Sequence, residues 1–321
     1  MSDGKASFST DSFQVDRLAD GVFAVVGDRD GLCHSNGGII DLGDTTLVFD
    51  TLAYPEYGAE LAAACRDLTG RDPTWIALSH YHADHWLGAQ AFPKSTVFLA
   101  TDAMLPLVKN SIQEYVEAVA DPQEVVDYVE QQRALLNDEG DPKRVAVLQL
   151  GIDRIQKTLD ALPTLDPREP NTMFTEALLL VGSQRSVELI EVRHAHTASD
   201  VYLRLPEEGI VFMGDLGFFD TIPFLLYADP LIWSRTLTDL AGSGAKTFVP
   251  GHGVVGVVDY VERQRECIDA IVCLARQAIA ERCDPADLFP GQLHEPFRTW
   301  ASRGRFNEAN FKAVYDKLQQ G

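Results

Sequence analysis

The sequence predicts an α/β scaffold built in two halves, with a helical segment set between them. Two observations carry this. Strand-type and helix-type patterns alternate over residues 15–100 and again over 177–282, whereas residues 103–162 keep helical periodicity with little strand signal. The length of 321 residues, with 45% hydrophobic side chains, suits one large domain with an insertion and ample core. The expected organisation is a single domain over 1–321, a helical insertion at about 103–162 and a helical tail at about 284–321.

In chain order, strands at 15–18 and 22–26 flank Ala19-Asp20-Gly21, and strands at 38–42 and 46–50 flank Gly43-Asp44, both hairpin signals. An apolar helix pattern covers 57–68. A short buried-type strand, Trp75-Ile76-Ala77-Leu78, follows it. Asp84 can open the next helix, 86–92, which Pro93 stops, and 96–100 reads as a further strand. Within the insertion, Ile112, Tyr115, Val116 and Val119 keep i, i+3, i+4, i+7 spacing. Val145, Leu148, Ile152, Ile155, Leu159 and Leu162 form a narrow seam, punctuated nearby by Pro122, Gly140-Asp141-Pro142 and Pro163. Helices packed on the scaffold are the first reading of this segment. An active-site lid and a homodimer seam through the insertion are the alternatives. Strands resume at 177–181, 187–192, 201–205, 210–213 and 247–249. Long helices are expected at 257–282 and, past Pro285 and Pro290, at 307–318.

The formal net charge is −21, from 48 acidic against 27 basic residues. Such a surface repels phosphate backbones and anionic lipid, which argues against nucleic-acid and membrane partners and leaves a small-molecule substrate. The first ten residues are polar and carry no apolar core of an export signal, and no apolar run approaches the ~20 residues of a membrane helix. Five cysteines without CxxC spacing read as reduced thiols, so the expected compartment is the cytoplasm.

Ser-His-Tyr-His-Ala-Asp-His, residues 79–85, is the densest chemical signal. With 8 His in 321 residues, three at fixed places in one window are expected by chance roughly 0.005 times. Imidazole and carboxylate are the donors of zinc and similar cations, so His80, His82, Asp84 and His85 point to metal. Three further candidates stand just past predicted strands: His196 after 187–192, Asp215 after 210–213 and His252 after 247–249. Loops at strand ends are where α/β scaffolds place chemistry.

Taken together these motifs resemble the metallo-β-lactamase superfamily. His-x-His-x-Asp-His is met by residues 80–85, and Gly-His-Thr by Ala195-His196-Thr197, with one small residue changed. Gly214-Asp215 and Gly251-His252-Gly253 match the later motifs, and Asp50-Thr51 the early structural Asp. The resemblance implies an αββα sandwich of two mixed β-sheets flanked by helices, with the insertion outside the common core. It implies two divalent metal ions, zinc first, with iron or manganese also compatible with N/O donors. By the same resemblance His80, His82 and His196 hold one ion, Asp84, His85 and His252 the other, and Asp215 bridges them. A metal-bridging hydroxide would attack the substrate carbonyl, with Asp84 orienting it and accepting its proton. Asp50 would hold the ligand loop from behind.

The implied activity is hydrolysis of a carbonyl ester, thioester, lactone or amide. A dedicated β-lactamase is less expected, because Asp215 stands where those enzymes often carry Cys or Ser, although weak β-lactamase activity is compatible. His82 replaces the Glu of the diiron oxidoreductase branch. A glutathione-thioester hydrolase or a persulfide dioxygenase stays open, as does a non-catalytic metal-stabilised module, which would be expected to lose ligands. His34 and Asn36, in the loop between the first two hairpins, are candidates for substrate contact, with a surface position as the alternative for His34. Phe218, Phe219, Tyr81 and Trp86 can line a pocket or belong to the core. His194 is expected at the surface or behind the ligands, and His294 in a structural role.

Overall fold

The computed structural model describes residues 8–28, 30–283, 293–301 and 307–320. Pro285 and Pro290 of the expected tail lie outside the described residues. Strands β1 (Phe8–Ser9), β2 (Phe13–Ala19), β3 (Val22–Gly27), β4 (Gly37–Asp41) and β5 (Thr46–Phe49) form an antiparallel meander. Helix α1 (Pro55–Thr69) opens with proline in its first turn and ends at Gly70 in the left-handed conformation. It leads to β6 (Trp75–Ala77), which joins β7 (Val97–Thr101) and β8 (Thr172–Phe174) as the parallel side of an eight-stranded sheet. The second sheet holds β9 (Ala177–Val181), β10 (Ser186–Val192), β11 (Asp200–Leu205) and β12 (Ile210–Phe218) antiparallel, with β13 (Thr247–His252) parallel to β12.

The two mixed sheets face each other. Phe49 of β5 and Phe212 of β12 approach to 6.2 Å between ring centroids. Ile39, Leu47, Ile76, Leu189 and Leu203 fill the same core, which extends to Leu61 and Cys65 of α1. A second core lies on the other face of the second sheet. There Met213 and Phe248 pack beneath α6 (Pro230–Ala241) and α7 (Val258–Glu281), through Trp233, Leu237, Ile268 and Ile271. The layers run helix, sheet, sheet, helix.

Several elements differ from the sequence expectation. In place of one helix over 86–92 there is a single turn, α2 (Ala83–Trp86), continued by the 3-10 turn Leu87–Ala91. Asp84 sits inside that turn, not at its cap, and His82 at the cap makes no side-chain cap bond, because both side chains face the histidine cluster. Strand β12 runs five residues past the expected 210–213 and so carries Asp215 within the sheet. Strand β8 is too short for periodicity to reveal. Helix α6 is signalled by Asp229-Pro230: the Asp229 side chain accepts from the amides of Leu231 and Ile232.

The insertion comprises α3 (Leu105–Ala120), α4 (Gln123–Asp138) and α5 (Pro142–Ala161), broken where the prolines predict. Ile152 and Leu162 of the expected seam are buried, and α5 runs along α4 of the same chain. The segment docks on the scaffold beside the site. Tyr54 donates to the Arg154 carbonyl at 2.8 Å, Lys157 Nζ lies 5.4 and 5.1 Å from the ring centroids of Tyr54 and Tyr57, and Tyr115 meets the Trp86 ring edge-on. Among the described residues, helices α8 (Phe297–Ala301) and α9 (Asn307–Gln319) follow α7, the latter packed along it.

Candidate metal centre

Buried strand β6 delivers the histidine run to the end of the first sheet, where backbone and side-chain bonds hold it. The Ser79 amide donates to Asp50 Oδ1 at 2.7 Å, the Thr51 amide to the His85 carbonyl at 2.7 Å and Trp86 Nε1 to the Tyr81 carbonyl at 2.7 Å. From the second sheet, β10 leads to the His196 turn, β12 carries Asp215 and β13 ends on His252. The His196 turn is organised by buried Asp200, which accepts from the amides of His196 and Thr197 and from the Thr197 hydroxyl. Burial pushes the Asp200 carboxyl up to about 7.

These residues converge as two sets of donor atoms. In the first, His82 Nδ1 lies 2.9 Å from His80 Nε2 and 3.1 Å from His196 Nε2, while Asp215 Oδ2 stands 3.5 and 3.4 Å from the same two nitrogens. In the second, Asp84 Oδ2 lies 3.5 Å from His85 Nε2 and 3.4 Å from His252 Nε2. Asp215 Oδ1 approaches these at 3.1 and 3.3 Å. Asp215 therefore gives one oxygen to each set.

The donor chemistry fits cations. His196 Nδ1 donates to the Phe224 carbonyl at 3.1 Å, and His252 Nδ1 to the His34 carbonyl at 2.9 Å. His85 Nδ1 faces Asp50 Oδ2 at 2.8 Å. A carbonyl only accepts, so each of the first two rings keeps its proton on Nδ1 and, when neutral, aims a bare lone pair from Nε2 into the cluster. Lone pairs pointed at one another repel unless a proton or a metal ion lies between them. His85 Nε2 and Asp215 Oδ1 are buried and neither makes an aligned hydrogen bond, although they are 3.1 Å apart. Buried polar atoms left unpaired are costly, and a shared cation would satisfy both.

The electrostatics agree. Burial holds His196 at about 3 and His34 at about 4, and burial with crowding by other imidazoles keeps His80 and His82 low. These rings are uncharged at neutral pH, as ligation requires. Burial also opposes charge on His85 and His252, but Asp215 and Asp84 outweigh it and raise both. Burial likewise opposes ionisation of Asp84 and Asp215, yet the facing imidazoles hold both carboxyls well below the usual range.

The remaining candidates separate. Phe218 stacks on His252 at 4.9 Å, beside the ligand set, while Phe219 is 1% exposed and packs on Tyr260 inside the second core. Asn36 spends its side-chain amide on backbone. Its Nδ2 donates to the carbonyls of Pro250 and Gly253, and its Oδ1 accepts from the Gly27 amide. Trp86 is fully buried, whereas Tyr81 lies at the site's edge, 4.6 Å from the His82 ring. His34 Nε2 comes within 3.4 Å of Asp84 Oδ2. His194 and His294 are exposed and outside the clusters. Sequence reasoning missed Phe224 and Tyr227, whose rings stand 5.6 and 5.8 Å from that of His82. It also gave Asp200 no role.

The family model of the metallo-beta-lactamase superfamily matches residues 30–100 and 116–252. Solved structures of similar fold include the metallo-beta-lactamase FIM-1 from Pseudomonas aeruginosa in its mono-zinc form. That likeness has 17% identity and a TM-score of 0.56 over 80% of this chain and 95% of that one. DIM-1 metallo-beta-lactamase is similar at 17% identity and TM-score 0.55, covering 81% and 99%. A metallo-beta-lactamase from Erythrobacter litoralis, with beta-mercaptoethanol in its active site, has 17% identity and TM-score 0.56, covering 82% and 99%. At these identities the likeness is one of fold. No curated protein matches the chain in sequence.

Proposed function

The chain belongs to the metallo-beta-lactamase superfamily, and on that premise we propose that the protein is a dinuclear metal-dependent hydrolase of small carbonyl esters, thioesters, lactones or amides. The observation that carries this reading is the division of Asp215, with Oδ2 toward His80 and His196 and Oδ1 toward His85 and His252. His80, His82 and His196 would hold one ion, Asp84, His85 and His252 the other, with Asp215 shared. Two such ions, zinc first among them, would supply Lewis acidity toward a carbonyl oxygen and bring the pKa of water from 15.7 to about 7.

The chain's own groups divide the remaining work. Asp84 is 22% exposed against 4% for Asp215, so Asp84 is the carboxylate that a water or leaving group can reach. Asp50 accepts from His85 Nδ1 and the Ser79 amide, fixing both the ring and the loop behind it. Tyr81, Phe224 and the 61% exposed Tyr227 form an aromatic rim beside His82, suited to an apolar substituent of the substrate. Among the described residues no helix is long and apolar enough to cross a membrane. With five free thiols, the same reading places the protein in the cytoplasm, which cell fractionation would check.

Elemental analysis combined with a hydrolysis screen over esters, thioesters, lactones and β-lactams tests the function. About two transition-metal equivalents are expected, with turnover of at least one class. Asp215→Asn should lose metal and turnover together. A metal-loaded protein inert to every class, or full turnover by the Asp215→Asn variant, would overturn the proposal.

A further inference from the structure

Asn310, on helix α9, is linked to one of the donor histidines through a single backbone residue. Its side chain is 3% exposed and spends both ends of its amide on one loop. Oδ1 accepts from the Leu225 amide at 2.8 Å, and Nδ2 donates to the Pro223 carbonyl at 2.9 Å. In an extended chain the backbone groups of residues two apart face one way, and those of the residue between face the other. Asn310 takes the side of Pro223 and Leu225. The Phe224 carbonyl between them is left to accept from His196 Nδ1, at 3.1 Å.

That carbonyl sets what His196 can do. It keeps the ring proton on Nδ1 and so turns the Nε2 lone pair toward His82 Nδ1 and Asp215 Oδ2. The phenyl ring of the same residue stands 5.6 Å from the His82 ring and 6.1 Å from that of His196. Helix α9 is itself anchored, with Phe311 and Val314 each 1% exposed in the second core. At its far end Lys317 Nζ lies 3.4 Å from Asp229 Oδ2, and the Asp229 amide donates to the Ala195 carbonyl at 3.0 Å. The helix therefore holds the segment 223–229 at both ends, on either side of Tyr227.

We propose that Asn310 is a positioning residue for the first metal position: through Phe224 it sets the tautomer and direction of His196. This rests on the dinuclear reading and gives α9 control over the affinity of one position and not the other. The second position is the internal control, because His252 Nδ1 donates to the His34 carbonyl, in a loop separate from 223–225.

The test compares Asn310→Ala with Val314→Ala, a packing change on the same helix, in protein carrying nitrogen-15 histidine. In the metal-free protein Asn310→Ala should move the His196 ring nitrogens toward values averaged between the two tautomers, with those of His252 unchanged. With free zinc set by a chelator, ring signals of His80, His82 and His196 report one position, and those of His85 and His252 the other. Asn310→Ala should weaken the first about 10–100-fold, as expected when a ligand loses its outer support, and leave the second within about twofold. Val314→Ala should not separate the two. Unchanged affinity, equal weakening at both positions, or the same selective loss in Val314→Ala would overturn this proposal and leave the dinuclear reading standing. A protein that binds no zinc, cobalt or manganese would overturn both. Should Asn310→Ala not fold, hydrogen exchange in the unmodified protein decides. Protection of the His196 ring N–H and of the Leu225 amide should fall together across a urea series; one falling while the other holds would refute the link.

Discussion

Replacing Asn36 by alanine should loosen the attachment of the His252 loop more than any pocket role for Asn36 would imply. The side chain is 2% exposed and spends its whole amide on backbone. It donates to Pro250 O at 2.9 Å and Gly253 O at 2.8 Å, and accepts from Gly27 N at 3.0 Å. Alanine removes all three bonds and strands buried groups on both sides. At roughly 1 kcal/mol per bond, and more where a buried group keeps no partner, the loss is about 3–5 kcal/mol. Against a total stability of about 5–15 kcal/mol the variant still folds. It should melt roughly 6–10 °C lower, at about 2 °C per kcal/mol for a large domain. Asn36→Asp sharpens the test. It keeps the shape and the acceptor for Gly27, but sets a carboxylate oxygen against two carbonyl oxygens, so it should be at least as damaging as alanine. Melting followed by circular dichroism, on metal-depleted protein, measures both variants. A shift under about 2 °C for alanine, or a milder effect for aspartate, would refute the reasoning.

Three other outcomes follow from the geometry. A Cβ on Gly251 would sit 2.0 Å from Asp215 Oδ1 and 2.7 Å from the Gly214 carbonyl carbon. Gly251→Ala should therefore displace the shared carboxylate and weaken binding of both metal equivalents, and elemental analysis finding two tightly held equivalents would contradict this. Burial pushes the thiols of Cys33 and Cys65 up to about 12 and that of Cys267 up as well, while Cys273 is exposed. Iodoacetamide at pH 8 attacks thiolates, so peptide mass spectrometry should find Cys273 modified and these three spared; prompt labelling of Cys33 would count against the packing described. Arg154→Ala removes two bonds to the Gly31 carbonyl, and amide hydrogen exchange over residues 30–36 should quicken several-fold; unchanged exchange there would show that the insertion does not restrain the loop.

What could be read from the sequence follows from how chemical meaning is encoded. The run at 79–85 was legible because three imidazoles in six positions defy chance, and the hairpins were legible because Ala19-Asp20-Gly21 and Gly43-Asp44 are local turn signals. Asn36 was not legible as a staple, since its amide reaches Gly253, 217 residues away, and nothing in its neighbours announces that contact. Tyr227 and Phe224 were hidden for the same reason. Each lies in a segment of ordinary composition and gains its place beside His82 only when β12 and α6 bring it there. The α2 turn failed in the opposite direction. Asp84 carries a strong local preference for capping, and the pull of three imidazoles on its carboxylate prevails, moving the helix start to Ala83. Local preference yields where a site must hold opposed charges together, so a broken local rule beside a histidine cluster is itself a sign of function. The Asp50 backbone fits the same pattern: it takes a positive φ of 59° without being glycine, at the point where its carboxylate must meet both His85 and the Ser79 amide.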